Sequence, residues 1–473
     1  SYYWGSNCIH SSMFSNCTSA GRCSTSFPSG PSTAATFDRE LVRSLANVVG
    51  VETRAGFNLK WVDNGKNGAG LECWGPVINI NRDPRWGRNG EGSAEDPYLV
   101  GEMGVAWARG MQEGEDPNHV LVAATMKHYV ANSVEGSWNP DGSWGGKINR
   151  HTIDVNITKQ NLADFYWPAF RESIRQGKAK GIMCSYNSVN GVPTCLDPLQ
   201  RAAREVWGFD GYVTSDSDAV EDAWKYHAYV KTAAEASCLA LKEGGCDIDS
   251  GNTYNDGLRN ASYAKACEID GAVARSMKVR MDLGLFDPPT GPYWSYGEEK
   301  IGTDASRALN LRAAGESLVL LRNPTVGGRA VLPLQKGGRV AVVGPHANAT
   351  AILVQLDSGM ICPDDTMACV ESPAAAIRRH NGGGSVVVKQ GHGLFDTTTD
   401  DNTTVADALA AAAAADVVVL GAGIAQCAGH GHGVRPEDCW HGYFGAEGTD
   451  RTHIDLPPSQ RDFIAQVLAL NKP

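Results

Sequence analysis

The chain has 473 residues, a formal net charge of -11 and a pI near 5.6, with charged residues making up 20% of it. That balance argues against nucleic acid or an anionic membrane as a partner, and no run of eighteen apolar residues offers a membrane span. The length exceeds one ordinary domain and reads as two, with 42% hydrophobic residues to fill their cores.

Helix and strand signals alternate from about residue 37 to 286. Helical periodicity predicts helices over Phe37–Asn58, Pro97–Glu113, Thr158–Gln176, Pro198–Trp207, Ala219–Glu243 and Ser262–Leu283. Short apolar runs between them predict strands at Gly75–Ile80, Val120–Tyr129, Lys180–Tyr186, Gly211–Thr214 and Gly245–Ile248. A β-α-β-α rhythm means a parallel sheet, and the crossover lengths suit a barrel. The proline-rich stretch Leu285–Trp294 breaks the rhythm and reads as a linker. The expected division is therefore a (β/α)8-type barrel over residues 1–286, a linker over 287–304, and an α/β sandwich over 305–473. Helix Ala305–Leu320 and strands at Arg339–Gly344, Ser385–Lys389 and Asp416–Gly421 build the second domain. It reads as incomplete at Pro473. Both ends look cut from a longer protein, and the remainder is expected as a separate polypeptide covering the exposed sheet edge. The turn at Gly344-Pro345 lacks a GxGxxG, so it does not read as a dinucleotide site.

Cysteine spacing points to an oxidising compartment. Cys17/Cys23, Cys184/Cys195, Cys362/Cys369 and Cys427/Cys439 are short-range pairs that can close small disulfide loops. No CxxC pair is present. Asn16, Asn156, Asn260, Asn348 and Asn402 each open an N-x-S/T sequon. The two signals together read as a secreted, extracellular glycoprotein.

Chemistry concentrates where the predicted strands end, which is where (β/α) enzymes keep it. Strand Gly211–Thr214 runs into Ser215-Asp216-Ser217-Asp218; Asp216 is the candidate acid, although this run also suits a helix cap. The loop Asn81–Glu91 combines three arginines, including Arg88, with carboxylates and Trp86, whose aromatic face suits sugar recognition. Lys127-His128-Tyr129 and Cys184-Ser-Tyr-Asn close two further strands. In the second domain, His430, His432, His441, Cys427 and Cys439 share one Gly-rich loop. Their spacing matches no common zinc site, so no metal is expected there.

Four of these segments resemble glycoside hydrolase family 3, and within it the β-xylosidase-like branch of secreted enzymes. They are Arg82-Asp-Pro-Arg-Trp-Gly-Arg88, Lys127-His-Tyr129, Met183-Cys-Ser-Tyr-Asn-Ser-Val-Asn-Gly191 and Gly208-Phe-Asp-Gly-Tyr-Val-Thr-Ser-Asp216. The resemblance implies a barrel followed by an α/β sandwich, with a fibronectin-like domain further on. It implies a retaining exo-acting β-glycosidase acting on an oligosaccharide or glycoside, needing no cofactor. Asp216 would be the nucleophile, Arg88, Lys127 and His128 would grip sugar hydroxyls, and Tyr186 would lie beside the nucleophile. Ala446-Glu-Gly-Thr-Asp-Arg451 resembles the acid/base pattern of some members and picks Glu447, with Glu437 as the fallback. A glutamate two positions before it, common among xylosidase-like members, is replaced by Gly445. Two more departures bear on specificity. Asn7 stands where such members place a sugar-contacting glutamate, and Ser217 follows the nucleophile where they tend to have cysteine. Both leave the choice among xylose, arabinose and glucose open.

Overall fold

The computed structural model describes residues 5–63, 67–68, 70–138, 144–145, 147–354, 357–364, 366–426 and 441–473. The chain divides into two compact units: Ser1–Leu318 with Asp357–Asp365, and Val319–Leu356 with Thr366–Pro473.

In the first unit, strands β1 (Glu72–Cys73), β2 (Ala123–Tyr129), β3 (Gly181–Cys184) and β4 (Tyr212–Ser215) form one parallel ladder in the order β4-β3-β2-β1. Tyr212 pairs with Gly181 and Ser215 with Cys184, so β3 and β4 end level with each other. Between β2 and β3 the register shifts from Met126 to Tyr129, just where Lys127 and His128 sit. Single bridges extend both edges, Val77 to Lys127 and Thr214 to Ile248. All five sequence-predicted strands are thus present as parallel neighbours, but two are reduced to one bridge. Pro76 has no N–H to give a ladder, and Gly245 takes the left-handed conformation at φ 64°. The described residues form this ladder and do not trace the closed (β/α)8-type barrel expected from the sequence.

Helices cover it. Asp38 caps α1 (Arg39–Asn58) by accepting from Leu41 N, and α1 buries Leu41, Val42, Leu45, Ala46 and Val49. Asp96 caps α2 (Pro97–Gln112), with Pro97 preset for the first turn. The two helices approach so closely at Gly110 that a Cβ there would lie 2.2 Å from Arg43 O. Each fully buried Leu or Met in this layer contributes roughly 1.5–3 kcal/mol.

Three predicted helices are broken. Thr158–Gln176 is interrupted ahead of α3 (Pro168–Arg175) by Pro168. Ala219–Glu243 splits into α4 (Ala219–Lys225) and α5 (Ala233–Leu239), the latter restarted by the Thr232 cap. Ser262–Leu283 gives Ala261–Ala266 and α6 (Ile269–Asp282), divided at Glu268 with φ 66°.

The expected linker 287–304 is part of the first unit. Tyr293, Tyr296 and Ile301 are buried with Phe14, Ala55 and Leu121, and Gly302 N donates to Glu52. Helix α7 (Asp304–Glu316), assigned from sequence to the second domain, also belongs here: Asn310 reaches Ser26 O and Arg312 pairs with Asp38. The proline-rich composition marks a packed strap, and the boundary falls after Leu318.

In the second unit, β5 (Val340–Val343), β6 (Val386–Lys389) and β7 (Val417–Leu420) are parallel in the order β6-β5-β7. Strand β5 alternates faces. Val340 and Val342 pack with Ala374 and Ile377 of α8 (Pro373–His380). Ala341 and Val343 pack with Ala408 of α9 (Val405–Ala414) and Phe463 of α10 (Pro458–Leu468). Helices on both faces of a parallel sheet make this an α/β domain.

Disulfides join Cys8–Cys73, Cys17–Cys23, Cys184–Cys195 and Cys238–Cys267, and Cys362 and Cys369 are each disulfide-bonded. Cys427 and Cys439 lie outside the described residues. No helix among the described residues is long and apolar enough to cross a membrane.

Burial pushes the Glu72 carboxyl, at the head of β1, up to about 7, opposed only by Arg280. Its Oε2 is enclosed without a hydrogen-bond partner among the described residues. A carboxyl raised in the folded state favours folding below its unfolded pKa, and that contribution is lost as pH rises through about 7. Glu72→Gln is therefore expected to remove a decline in stability between pH 4.5 and 8, worth about 1–3 kcal/mol at pH 8. Denaturation midpoints measured across that range check it.

Candidate active site

The level ends of β3 and β4 and the irregular end of β2 bring four sequence-predicted residues together. Asp216 follows β4 directly. Its Oδ1 accepts from Tyr186 Oη at 2.9 Å and from Ser217 N at 2.8 Å. Its Oδ2 is buried with no hydrogen-bond partner among the described residues. Asp216 is not a helix cap: Asp218 occupies the N-cap position of α4, at φ 65° and without a side-chain cap bond.

His128 Nε2 lies 3.5 Å from Asp216 Oδ2. That contact is not an ion pair. Burial first, then Arg88, Lys127 and Arg150, hold His128 well below the usual imidazole range, so it is neutral. The tautomer follows from its partners. Nδ1 donates to Asn79 Oδ1 at 3.0 Å, while Nε2 accepts from Arg88 Nη1 at 3.2 Å. Asn79 also clamps the His128 backbone on both sides, accepting from N and donating to O.

Arg88 is buried and forks onto Glu91, Nε to Oε1 at 2.8 Å and Nη2 to Oε2 at 2.7 Å. Lys127 Nζ donates to Asn7 Oδ1 at 2.9 Å. Burial, followed by Arg88, lowers the Lys127 pKa; Glu91, Asp357 and Asp216 pull it back. Two cations, one neutral imidazole and one carboxylate oxygen without a hydrogen-bond partner among the described residues thus meet at one strand-end cluster. That is donor-rich chemistry suited to hydroxyl oxygens, beside an acid able to act as a nucleophile.

Tyr186 is held from behind. The Arg150 guanidinium lies 4.5 Å from its ring centroid, the His151 ring 4.5 Å away, and His227 Nε2 donates to its carbonyl at 2.7 Å. His151 is pushed down to about 4, by burial first and then Arg150, and its Nδ1 contacts Asp222 at 2.7 Å. Sequence reading included Glu91 among the carboxylates of the arginine loop but did not bring out Asn79, Arg150, His151, Asp222 or Asp357. Of these only Asn79 had a signal, two residues ahead of that loop.

Trp86 requires a correction. Its ring packs with Ile9 and Val77, and its indole N–H donates to the fully buried Glu135, which also pairs with Arg150. It is a core residue bracing the loop that carries Arg88, and not a sugar platform.

Glu447 lies in the second unit, exposed in a turn where Ala446 and Thr449 exchange backbone hydrogen bonds. Arg451 donates to Ile454 O and Asp455 O. Glu437, His430 and His432 fall outside the described residues; His441 stacks on Phe395. Among the described residues no group of three or more His, Cys, Asp or Glu is arranged to hold a metal. The sequon asparagines Asn16, Asn156, Asn260, Asn348 and Asn402 are all exposed.

Comparison with known proteins extends the picture. Residues 15–259 match the family model described as glycosyl hydrolase family 3 N terminal domain, and residues 318–473 the corresponding C-terminal domain. The probable exo-1,4-beta-xylosidase bxlB of Aspergillus terreus is 38% identical over 366 residues, 74% of this chain and 45% of that protein. The beta-xylosidase/alpha-L-arabinofuranosidase 2 of Medicago sativa subsp. varia is 35% identical over 76% of this chain and 46% of its own length. Among solved structures, a GH3 exo-beta-xylosidase (XlnD) in complex with a xylobiose aziridine activity-based probe superposes with a TM-score of 0.83. It is 30% identical, over 100% of this chain and 56% of that one. A beta-glucosidase from Listeria innocua in complex with glucose gives 0.74 at 28% identity, covering 99% and 56%. The chain spans less than half the length of these curated relatives.

Proposed function

The chain belongs to glycosyl hydrolase family 3, and from that premise we propose that it is a secreted, retaining exo-acting β-glycosidase whose preferred substrate is a β-D-xyloside. One observation carries the reading. Asp216 has one oxygen fixed by Tyr186 and Ser217 N, and its other oxygen has no hydrogen-bond partner among the described residues beside His128, Arg88 and Lys127. A carboxylate oriented through one oxygen presents the other in a defined direction, as attack on an anomeric carbon requires.

In this mechanism Asp216 attacks the anomeric carbon while a second carboxyl protonates the departing oxygen. Water then cleaves the glycosyl-enzyme with that second group acting as base. Glu447 is the proposed second member. Lys127 and Arg88 donate to sugar hydroxyls. His128, neutral with its Nδ1 proton directed at Asn79, keeps positive charge off the nucleophile. The parallel ladder is read as an arc of a (β/α)8-type barrel. Exposed sequons and disulfides support secretion with glycosylation. Xylose is preferred because the xylosidase relatives are 35–40% identical.

A 2-fluoro-xyloside with a good leaving group tests the core of this reading. Mass spectrometry is expected to find a covalent 2-fluoroxylosyl adduct on the peptide bearing Asp216; an adduct elsewhere, or none, refutes it. Glu447→Ala is expected to lower kcat/KM for xylobiose by roughly 100- to 10,000-fold while sparing kcat/KM for dinitrophenyl xyloside, whose leaving group needs no proton in the glycosylation step. Equal losses on both move the role to another residue.

A further inference from the structure

The stretch that carries the nucleophile is held a second time, just beyond it. Asp216 follows β4, and Asp222 stands in the first turn of α4 with its side chain buried. Asp222 Oδ2 meets His151 Nδ1 at 2.7 Å, and the His151 ring lies 4.5 Å from the Tyr186 ring. Tyr186 Oη in turn donates to Asp216 Oδ1 at 2.9 Å. The contacts close a circuit, from Asp216 through Tyr186, His151 and Asp222 and back along α4 to Asp216.

Backbone pairing sets the two rings side by side. Asp154 pairs with Ser188 and Val155 with Val189 in a short parallel ladder, and Ser188 N donates to Ile153 O at 2.9 Å. His151 and Tyr186 lie just ahead of these paired residues, one in each segment. Asn149 Oδ1 accepts from His151 N at 2.9 Å and fixes the turn that presents the imidazole. Burial, ahead of every other influence, lowers His151 to about 4 and raises the Asp222 carboxyl well above its usual range. Neither group thus favours its charged form, and their contact acts as a directional hydrogen bond, costly to break in a buried setting. The hydroxyl of Tyr186 is at the far end of its side chain, so a tilt of the ring moves it most. A misplacement of about 1 Å near a reacting group can cost on the order of 100-fold in rate.

We propose that Asp222 is a positioning residue for the glycosylation step: through His151 it holds the Tyr186 ring where its hydroxyl orients Asp216. The inference rests on the glycosidase reading of the site. The helix that leaves the nucleophile thereby returns to brace it.

Asp222→Ala, His151→Phe and Asp222→Asn, made in the full chain, test it. Alanine removes the hold from one end. Phenylalanine keeps a ring against Tyr186 and removes the nitrogen that meets Asp222. Asparagine supplies both an acceptor and a donor, so it suits either tautomer of His151. Alanine and phenylalanine are expected to lower kcat/KM for an aryl β-xyloside by about 10- to 100-fold, with the inhibition constant of free xylose within about threefold of wild type. Asparagine is expected to stay within about threefold of wild type on both measures. In a Tyr186→Phe background, where the hydroxyl is already gone, Asp222→Ala is expected to cost less than about threefold more, because the two losses share one route. If the losses multiply in that background, or asparagine is as impaired as alanine, Asp222 does not act through Tyr186 and the proposal fails. Should the alanine variant not fold, His151→Phe decides: wild-type kcat/KM there marks Asp222 as a structural brace and overturns the proposal. A wild-type chain that hydrolyses no aryl glycoside overturns the glycosidase reading itself. An active wild type with all three variants unchanged overturns this inference alone.

Discussion

Asp216→Asn is expected to lower kcat/KM for aryl β-xylosides by about 10,000-fold or more, the scale on which loss of a nucleophile is felt, while leaving the fold intact. The substitution is nearly isosteric. The asparagine oxygen can keep both hydrogen bonds at Oδ1, from Tyr186 Oη and Ser217 N. Its NH2 would then occupy the place of Oδ2, 3.5 Å from His128 Nε2. Because His128 is neutral with its proton on Nδ1, no imidazolium proton opposes that NH2, and the single Nε2 lone pair stays with Arg88 Nη1. No donor is forced against another donor's proton at Nε2, so the melting midpoint is expected to stay near that of wild type. Kinetics and calorimetry on the same preparation check both halves. Retained turnover refutes the nucleophile, and unfolding of the variant refutes the neutral state of His128.

Much of this site was legible because strand ends concentrate unusual residue types. Lys127-His128, Tyr186 and Asp216 each terminate an apolar run, and the ladder register brings three runs to one edge. What the sequence hid was long-range. Asp357 meets Asn7 across 350 positions, and Cys8 meets Cys73 across 65, separations at which spacing carries no signal. Trp86 was misread because an aromatic among arginines looks the same whether its ring faces solvent or Ile9 and Val77. The broken helix after Asp216 has a purpose that periodicity cannot reveal. Ending α4 at Lys225 frees His227 to donate to the Tyr186 carbonyl. The strap 287–304 was taken for a linker because prolines mark irregular backbone whether or not Tyr293 and Tyr296 are buried beneath it.

Arg88→Met separates what the buried arginine does for folding from what it does for the sugar. Arg88 and Glu91 have side chains only 3% and 6% exposed, joined by two parallel N–H···O bonds. Methionine fills much of the volume but leaves the Glu91 carboxylate buried without its guanidinium, an error that costs about 3–5 kcal/mol. The variant is therefore expected to melt well below wild type. Adding Glu91→Gln removes the stranded charge, and replacing both members of a buried pair is often close to neutral, so most of the stability should return. Activity should not. His128 loses the donor to Nε2 that helps fix its ring, and a sugar hydroxyl loses a charge-assisted donor, together worth roughly 1.5–3 kcal/mol or about 10- to 150-fold in kcat/KM. Arg88→Lys should resemble methionine more than wild type, because a single ammonium cannot span both Glu91 oxygens and His128. If activity returns with stability in the double variant, Arg88 is a structural brace and the contact with sugar falls to Lys127 alone.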